Sequence, residues 1–336
     1  MAYNVSTEHT PPAPSATDGT SAVVVDELVK TYRLPRGGNF NAVDGLSFEV
    51  RAGELFGFLG PNGAGKTTTL EIVEGIREPS SGRVSVLGFD SVAQRDEVKR
   101  RIGVQLQAAA YFDYLTLREI LELFGSFYPV RRDPDELLDH VGLLDKRGAQ
   151  VRHLSGGQAR RFSIVAALVN DPEVVFLDEP TTGLDPAARR AVWELISQIN
   201  RAQRTTVVLT THYMEEAQLL ADRIAIIDHG KIQALDTPQA LIGRYAGSGA
   251  IRFATEGPVE LEQLRGIEGV LDVAETSAED GDRGYGYQLR VRDPDAAVPE
   301  LVAFSQRGGV ALRALEVMPG TLEDVFLRIT GRELRD

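Results

Sequence analysis

Gly60-Pro61-Asn62-Gly63-Ala64-Gly65-Lys66-Thr67-Thr68 decides the fold of this chain. The stretch reads G-x-x-x-x-G-K-T, the pattern of a phosphate-binding loop. Its glycines let backbone N–H groups turn inward toward phosphate oxygens. The helix expected to begin near Lys66 aims its N-terminal dipole at the same anion. Lys66 supplies a point charge for the β- and γ-phosphates, and the Thr67 hydroxyl suits Mg²⁺. An apolar run, Leu55-Phe56-Gly57-Phe58-Leu59, precedes the loop, and Leu70, Ile72 and Val73 follow it at helical spacing. That strand–loop–helix context is the one the motif needs. Gly60, Asn62, Gly63, Ala64, Gly65, Lys66, Thr67 and Thr68 are the first candidate nucleotide-binding residues. The loop alone implies nucleotide binding and says nothing of how the energy is used.

The chain has 336 residues, comfortable for two domains, and 43% of them are hydrophobic, enough for a large core. With no cysteine there are no disulfides or thiolate metal sites, which fits a reducing compartment. Five scattered histidines argue against a histidine-rich metal site. No apolar run approaches the ~20 residues that span a bilayer. The N-terminus lacks a basic start followed by an apolar core, so no secretory signal is expected and the chain reads as cytosolic. Net charge is −13, from 36 basic and 49 acidic residues, which argues against nucleic acid as the main ligand.

Residues 1–21 are rich in Thr, Pro, Ser and Ala and read as a disordered tail. Residues 22–245 alternate strand-like and helical patterns, which predicts an α/β domain with a largely parallel sheet. Leu55–Leu59, Val174–Leu177, Thr206–Thr210 and Ile224–Ile227 are its buried-strand candidates. Thr116-x-x-Glu119 predicts a capping box, and Asp133-Pro134 opens another helix. Val192, Leu195, Ile196 and Ile199 line a third. Ala246-Gly-Ser-Gly249 reads as a linker. Residues 246–336 follow a βαββαβ order, the ferredoxin-like arrangement, with an Asp/Gly-rich turn at Glu279–Gly286 and a last amphipathic helix after Thr321-x-x-Asp324.

Two further motifs carry chemistry. In Leu154-Ser155-Gly156-Gly157-Gln158, Ser155 is a good N-cap, and the glycines leave amides open at a helix start. In Val174-Val175-Phe176-Leu177-Asp178-Glu179, an apolar strand delivers two acids to its carboxyl end, where ligands bind in such sheets. Asp178 would hold Mg²⁺ directly or through water, and Glu179 would orient or deprotonate the attacking water. Taken singly, each has a plain alternative, a capped helix or a solvated acid pair.

In this order and spacing, the phosphate loop, LSGGQ and the Asp-Glu strand resemble the nucleotide-binding subunit of an ATP-binding cassette (ABC) transporter. The resemblance covers roughly Ala22 to Ala240. It implies a P-loop NTPase domain of the ABC ATPase type, with a helical subdomain over about 107–150, and ATP and Mg²⁺ as ligands. Tyr32, in Val-Lys-Thr-Tyr, matches the aromatic that stacks on adenine. Gln107 matches the glutamine that touches Mg²⁺ and the attacking water, with Gln105 a competitor that the family's spacing disfavours. Thr182-Gly183-Leu184-Asp185 matches the loop that crosses to the opposite site, and His212 the histidine that senses the γ-phosphate. By the same resemblance, Ser155, Gly156, Gly157 and Gln158 would cover ATP held by a second subunit. Lys66, Gln107, Glu179 and His212 are thus the catalytic candidates, and Thr67, Gln107 and Asp178 the metal candidates.

The resemblance also implies partners: a second nucleotide-binding subunit, the same chain or a paralogue, and a polytopic permease at the cytoplasmic face of the membrane. Tyr111-Phe112-Asp113-Tyr114-Leu115 is unusually aromatic and is expected to help form the groove that receives a cytoplasmic helix of that permease. The ending Thr321–Gly331 is similar to the tails of ABC-2-type exporter ATPases, including the daunorubicin/doxorubicin-resistance group, which points to export of a drug, lipid or other hydrophobic compound. The competing expectations are a mechanical ATPase acting on ribosomes or DNA, a regulatory module without turnover, and an importer subunit.

Overall fold

Three adjacent strands, Leu55–Leu59, Thr206–Thr211 and Val174–Asp178, are buried at every residue. Such uninterrupted burial suits parallel strands covered on both faces. The computed structural model, which describes residues 21–35, 37–105, 111–247, 249–276 and 284–331, sets them inside a six-stranded sheet. Its order is Lys231–Asp236, Arg223–Asp228, Leu55–Leu59, Thr206–Thr211, Val174–Asp178, Ile102–Gln105. All neighbours are parallel except the edge strand Lys231–Asp236.

The first part of the chain departs from the expected parallel pattern. Ser21–Arg33 and Asn39–Arg51 form a long antiparallel hairpin, extended by Ser81–Val86 and Phe89–Asp90 into a second sheet. The physical reason lies in the period of two: Leu46, Phe48 and Val50 are buried while Ser47, Glu49 and Arg51 are exposed. Alternation of this kind marks a sheet with one face in a core and one in water. Phe48 from this sheet meets Phe56 and Phe58 from the central sheet, at ring-centre distances of 5.7 and 5.1 Å. On the opposite face of the same central strand, Leu55 and Leu59 join the larger core.

That larger core also contains the helical segment. Thr116 and Glu119 form the capping box of helix Leu117–Gly125, and Asp133 caps Pro134–His140. Leu117, Ile120, Leu137 and Leu138 pack there with Phe162 of helix Gly156–Ala166. Within helix Pro186–Gln203, Val192, Leu195, Ile196 and Ile199 are buried.

Beyond residue 248 the order is Gly249–Thr255, helix Leu261–Arg265, Val270–Thr276, Tyr285–Val291, helix Pro294–Gly308 and Leu312–Pro319. The four strands make an antiparallel sheet in the order Val270–Thr276, Tyr285–Val291, Gly249–Thr255, Leu312–Pro319. A separate core holds it, with Ile251, Phe253, Tyr287, Leu289 and Leu301 buried. The stretch read as a linker is short in space, since Ala246 is buried in the larger core and Gly249 already starts a strand. The tail at 1–20 and most of the turn expected at Glu279–Gly286 lie outside the described residues. No helix among the described residues is long and apolar enough to cross a membrane.

The last helix, Leu322–Thr330, opens with a capping box between Thr321 and Asp324. It does not join the C-terminal core. Leu322, Val325 and Phe326 are buried in the larger core, with Ala217, Leu220, Leu241 and Ala246. Truncating a buried Phe costs about 3–5 kcal/mol. Phe326→Ala is therefore expected to destabilise the ATP-binding part of the chain, far from it in sequence. Trp193, the single tryptophan, lies in that core and reports it by fluorescence. Its unfolding midpoint in denaturant should drop clearly in the variant; an unchanged midpoint contradicts the shared core.

Candidate functional site

The strand register brings three chain segments together. Leu59 pairs with Thr211, and Asp178 with Thr210, so the residues that leave the three strands emerge side by side. Those residues are Gly60, His212 and Glu179. The phosphate loop is held there by two backbone approaches that admit no side chain. A Cβ on Gly60 would collide with the Ile227 carbonyl oxygen. One on Gly65, at φ +104°, would collide with the Ala42 carbonyl oxygen. The loop therefore requires glycine at both positions for geometry alone. Asn62, Gly63, Ala64 and Thr68 complete the turn and the helix start, with helix Lys66–Val73 following.

Lys66 is only 4% exposed. Its ammonium donates to the Gly60 carbonyl at 2.7 Å and the Pro61 carbonyl at 3.1 Å. The Glu179 carboxylate lies 3.5 Å away. Burial pushes the lysine pKa down, and Glu179 pulls it back up. Glu179 also faces His212, with Oε1 3.5 Å from Nδ1, and its Oε2 accepts from the Thr182 hydroxyl at 3.1 Å. The hydrogen bond with His212, helped by Lys66 and Thr182, holds the Glu179 carboxyl down at about 2 against the opposing effect of burial. Its backbone sits at φ +46°, a strained position for a non-glycine residue. The Glu179 amide is tied to the Thr210 hydroxyl at 3.0 Å.

Asp178 is placed by neighbours on both sides. The Thr67 hydroxyl donates to its two carboxylate oxygens at 3.2 and 3.1 Å, and the Thr210 hydroxyl donates at 2.6 Å. Burial holds its carboxyl above the ordinary range, although both threonine hydrogen bonds oppose the rise. The Thr67 hydroxyl and a carboxylate this close form a hard, oxygen-only donor set, which fits a divalent ion such as Mg²⁺.

The remaining candidates lie elsewhere on the chain. Ser155 caps helix Gly156–Ala166 in a capping box with Gln158, whose side-chain oxygen also accepts from Lys146 at 3.1 Å. Their hydrogen bonds stay at this helix start and do not reach the phosphate loop. Gly156 is open, and Gly157 abuts Ala188 of the neighbouring helix Pro186–Gln203. Asp185 caps that neighbouring helix through the Ala187 and Ala188 amides, both at 3.0 Å. Tyr32 stands opposite Phe40 in the hairpin, with the Lys30 and Arg77 cations 5.6 and 5.5 Å from its ring centre. Gln107 lies outside the described residues, while Gln105 ends its strand and is buried.

Two site residues escaped the sequence reading. Thr210 bridges both acids, and its signal was a polar residue just after the apolar run Val207-Val208-Leu209. Glu216 is fully buried on helix Met214–Leu220, and accepts from the Thr181 hydroxyl at 2.8 Å and from Trp193 Nε1 at 2.9 Å. It joins the helix behind His212 to the loop behind Glu179, a link with no local sequence pattern.

Comparison with known proteins agrees with this geometry. The ABC transporter family profile matches residues 43–182. The Nod factor export ATP-binding protein I of Ralstonia nicotianae is 38% identical over 332 residues, spanning 97% of this chain and 98% of that protein. Its counterpart in Rhizobium sp. (strain N33) is 40% identical over 302 residues, spanning 88% and 94%. Among solved structures, a dimeric ATP-binding cassette in a post-hydrolysis state, bound to ADP and Pi, shares 27% identity at a TM-score of 0.59 and covers 64% of this chain and 98% of its own. With the phosphate loop, the Asp178-Glu179 strand end and His212 gathered at one sheet edge, and relatives matched from end to end, this chain belongs to the ABC transporter family as one of its ATP-binding, ATP-hydrolysing subunits.

Proposed function

We propose that the chain drives an exporter of the ABC-2 type, carrying a drug, lipid or other hydrophobic compound through a separate polytopic permease at the cytoplasmic face of the membrane. One observation carries this reading. The relatives named for Nod factor export match through the C-terminal 90 or so residues, whereas the bare cassette covers 64% of the chain. On this reading, residues 22–245 are the ATPase domain, and residues 246–336 an accessory ferredoxin-like domain whose last helix docks back on it. The dimer would be head-to-tail: Ser155, Gly156, Gly157, Gln158 and Asp185 of one subunit would complete the site of the other. The helix start behind the Ser155 cap supports this, because its backbone amides, with Gly156 in open space, suit a second anion.

The residues divide the work as follows. The loop amides and Lys66 take the β- and γ-phosphates, and Tyr32 offers a face to adenine. Thr67 and Asp178, with Gln107, would hold Mg²⁺, which supplies charge neutralisation at the phosphates when bound. Glu179 acts on the attacking water. Without nucleotide, its carboxyl is held at about 2 by His212 and Lys66, which leaves it a weak base. A γ-phosphate competes with Glu179 for both partners. As Lys66 and His212 turn to it, Glu179 regains basicity, so the base is armed only when substrate is present.

Removing a general base costs roughly 10²–10⁴-fold in rate. Glu179→Gln should therefore keep ATP binding, trap the closed dimer and lose turnover by that order; undiminished steady-state hydrolysis contradicts the assignment. The same variant tests the transporter reading. Isolated from its native membrane in mild detergent with ATP, it should carry a polytopic membrane protein with it. Recovery of ribosomes or DNA instead would move the reading to a mechanical ATPase. A third expectation concerns His212→Ala. Losing its main stabilising partner, the Glu179 carboxyl should rise from about 2 toward the ordinary glutamate range, read by carboxyl ¹³C NMR of the nucleotide-free protein. In sign, the stability this carboxylate adds is present above the ordinary value. It is lost as pH falls toward 2 in the parent, and at higher pH in the variant. A carboxyl that stays near 2 would show that His212 is not the cause.

A further inference from the structure

Helix Met214–Leu220 begins two residues after His212 and carries two acids in its first turn, Glu215 and Glu216. Glu215 is exposed, whereas Glu216 is fully buried. Ala217 and Leu220 of the same helix lie in the larger core, as does Trp193. An apolar side chain would pack in such surroundings without the desolvation that a carboxyl incurs. Packing therefore does not explain an acid here. One oxygen of this acid accepts two hydrogen bonds, from the Thr181 hydroxyl at 2.8 Å and from Trp193 Nε1 at 2.9 Å. Thr181 is itself fully buried, two residues past Glu179. Trp193 belongs to helix Pro186–Gln203, which Asp185 caps. Burial raises the Glu216 carboxyl above the ordinary range, and hydrogen bonding from Thr211, Thr181 and Trp193 opposes the rise, as does the charge of Arg189.

The ladder between the two strands stops short of the reacting groups. Its last pair is Asp178 with Thr210, and Glu179 and His212 lie beyond it. Past that pair, the Thr210 hydroxyl holds the Glu179 amide at 3.0 Å, and Glu179 meets His212 at 3.5 Å. Farther along both segments, the bond from Thr181 to Glu216 ties the loop after Glu179 to the helix after His212. The His212 side is gripped a second time. Its ring lies against the Tyr213 ring, with centres 4.2 Å apart, and the Arg189 guanidinium sits 4.1 Å from the centre of Tyr213. Arg189 and Trp193 are four apart on helix Pro186–Gln203, so they share a side of it. That helix thus holds the Tyr213 ring with one side chain and the Glu216 carboxyl with the other. We propose that Glu216 is a positioning residue for ATP hydrolysis, a clamp that sets the His212 segment against the loop that carries Glu179. It acts through Thr181 and Trp193, and it matters to turnover only through the roles proposed above for Glu179 and His212.

Two variants open the clamp from opposite sides: Glu216→Met removes the acceptor, and Thr181→Val removes the donor on the loop. Full-length protein, isolated from its native membrane in mild detergent, is assayed for ATP hydrolysis and for ATP affinity. A misplacement of about 1 Å costs on the order of 10²-fold in rate, so either variant should lower kcat by about tenfold to a hundredfold. ATP affinity should stay unchanged. Glu216→Gln keeps an acceptor oxygen and should recover most of the loss. The double variant Thr181→Val/Glu216→Met should be no slower than the slower single one, because both open the same contact. A second readout needs no turnover. In aromatic ¹H–¹³C NMR of the nucleotide-free chain, the His212 ring signal is identified by its loss in His212→Ala and should be displaced by stacking on Tyr213. Glu216→Met and Thr181→Val should move that signal, and Glu216→Gln should return it. Wild-type kcat in both variants, or a His212 signal that neither moves, overturns the proposal. So does a joint fall in ATP affinity and unfolding midpoint that Glu216→Gln fails to repair, the mark of a merely structural carboxyl. Undiminished hydrolysis by Glu179→Gln is a separate result, and it strikes at the role of Glu179 whatever the Glu216 variants do.

Discussion

The hydrogen-bond register of three parallel strands is the constraint on which the site depends. Because Leu59 lies beside Thr211 and Thr210 beside Asp178, the phosphate loop, the acid pair and His212 leave the sheet at one level. A slip of one residue would turn Asp178 to the other face and separate Thr210 from both acids. The burial of these strands on both faces makes such a slip costly, since every residue in them is already in a core. The same register explains why the chemistry can be distributed over loops more than a hundred residues apart in sequence, as with Thr67 and Asp178.

Within that frame, charges are balanced locally. Lys66, Glu179 and His212 are nearly all hidden from water, and the Lys66 ammonium and the Glu179 carboxylate offset one another there. The same carboxylate faces the His212 ring. The site is thus a closed set of internal partners. The strain stored at Glu179, in the left-handed region of backbone space, is held by the Thr210 hydroxyl and by Thr182, both of which belong to the same set.

The fold and site were legible where the signal is local. The phosphate loop, the Ser155 and Asp133 caps and the all-apolar strand before Asp178 each follow from a few neighbouring residues, and the structure has them at those positions. The N-terminal hairpin was less legible, because its apolar alternation is interrupted by bulges at Val25/Leu28 and beyond. Thr210 was legible only as a polar residue near the end of its strand, and Glu216 was not legible at all. Glu216 reaches Thr181 and Trp193, 35 and 23 residues away, and only the packed tertiary structure brings a carboxylate to those donors.

The return of helix Leu322–Thr330 to the larger core changes the status of what precedes it. The C-terminal sheet leaves the ATP-binding part at Ala246 and is anchored to it again at Leu322. It is therefore a handle fixed at both ends and not a pendant on one flexible joint. One of its two anchor points is the helix Met214–Leu220, which begins two residues after His212. A handle mounted there shares its footing with the helix that follows His212, although the sheet itself has a core of its own.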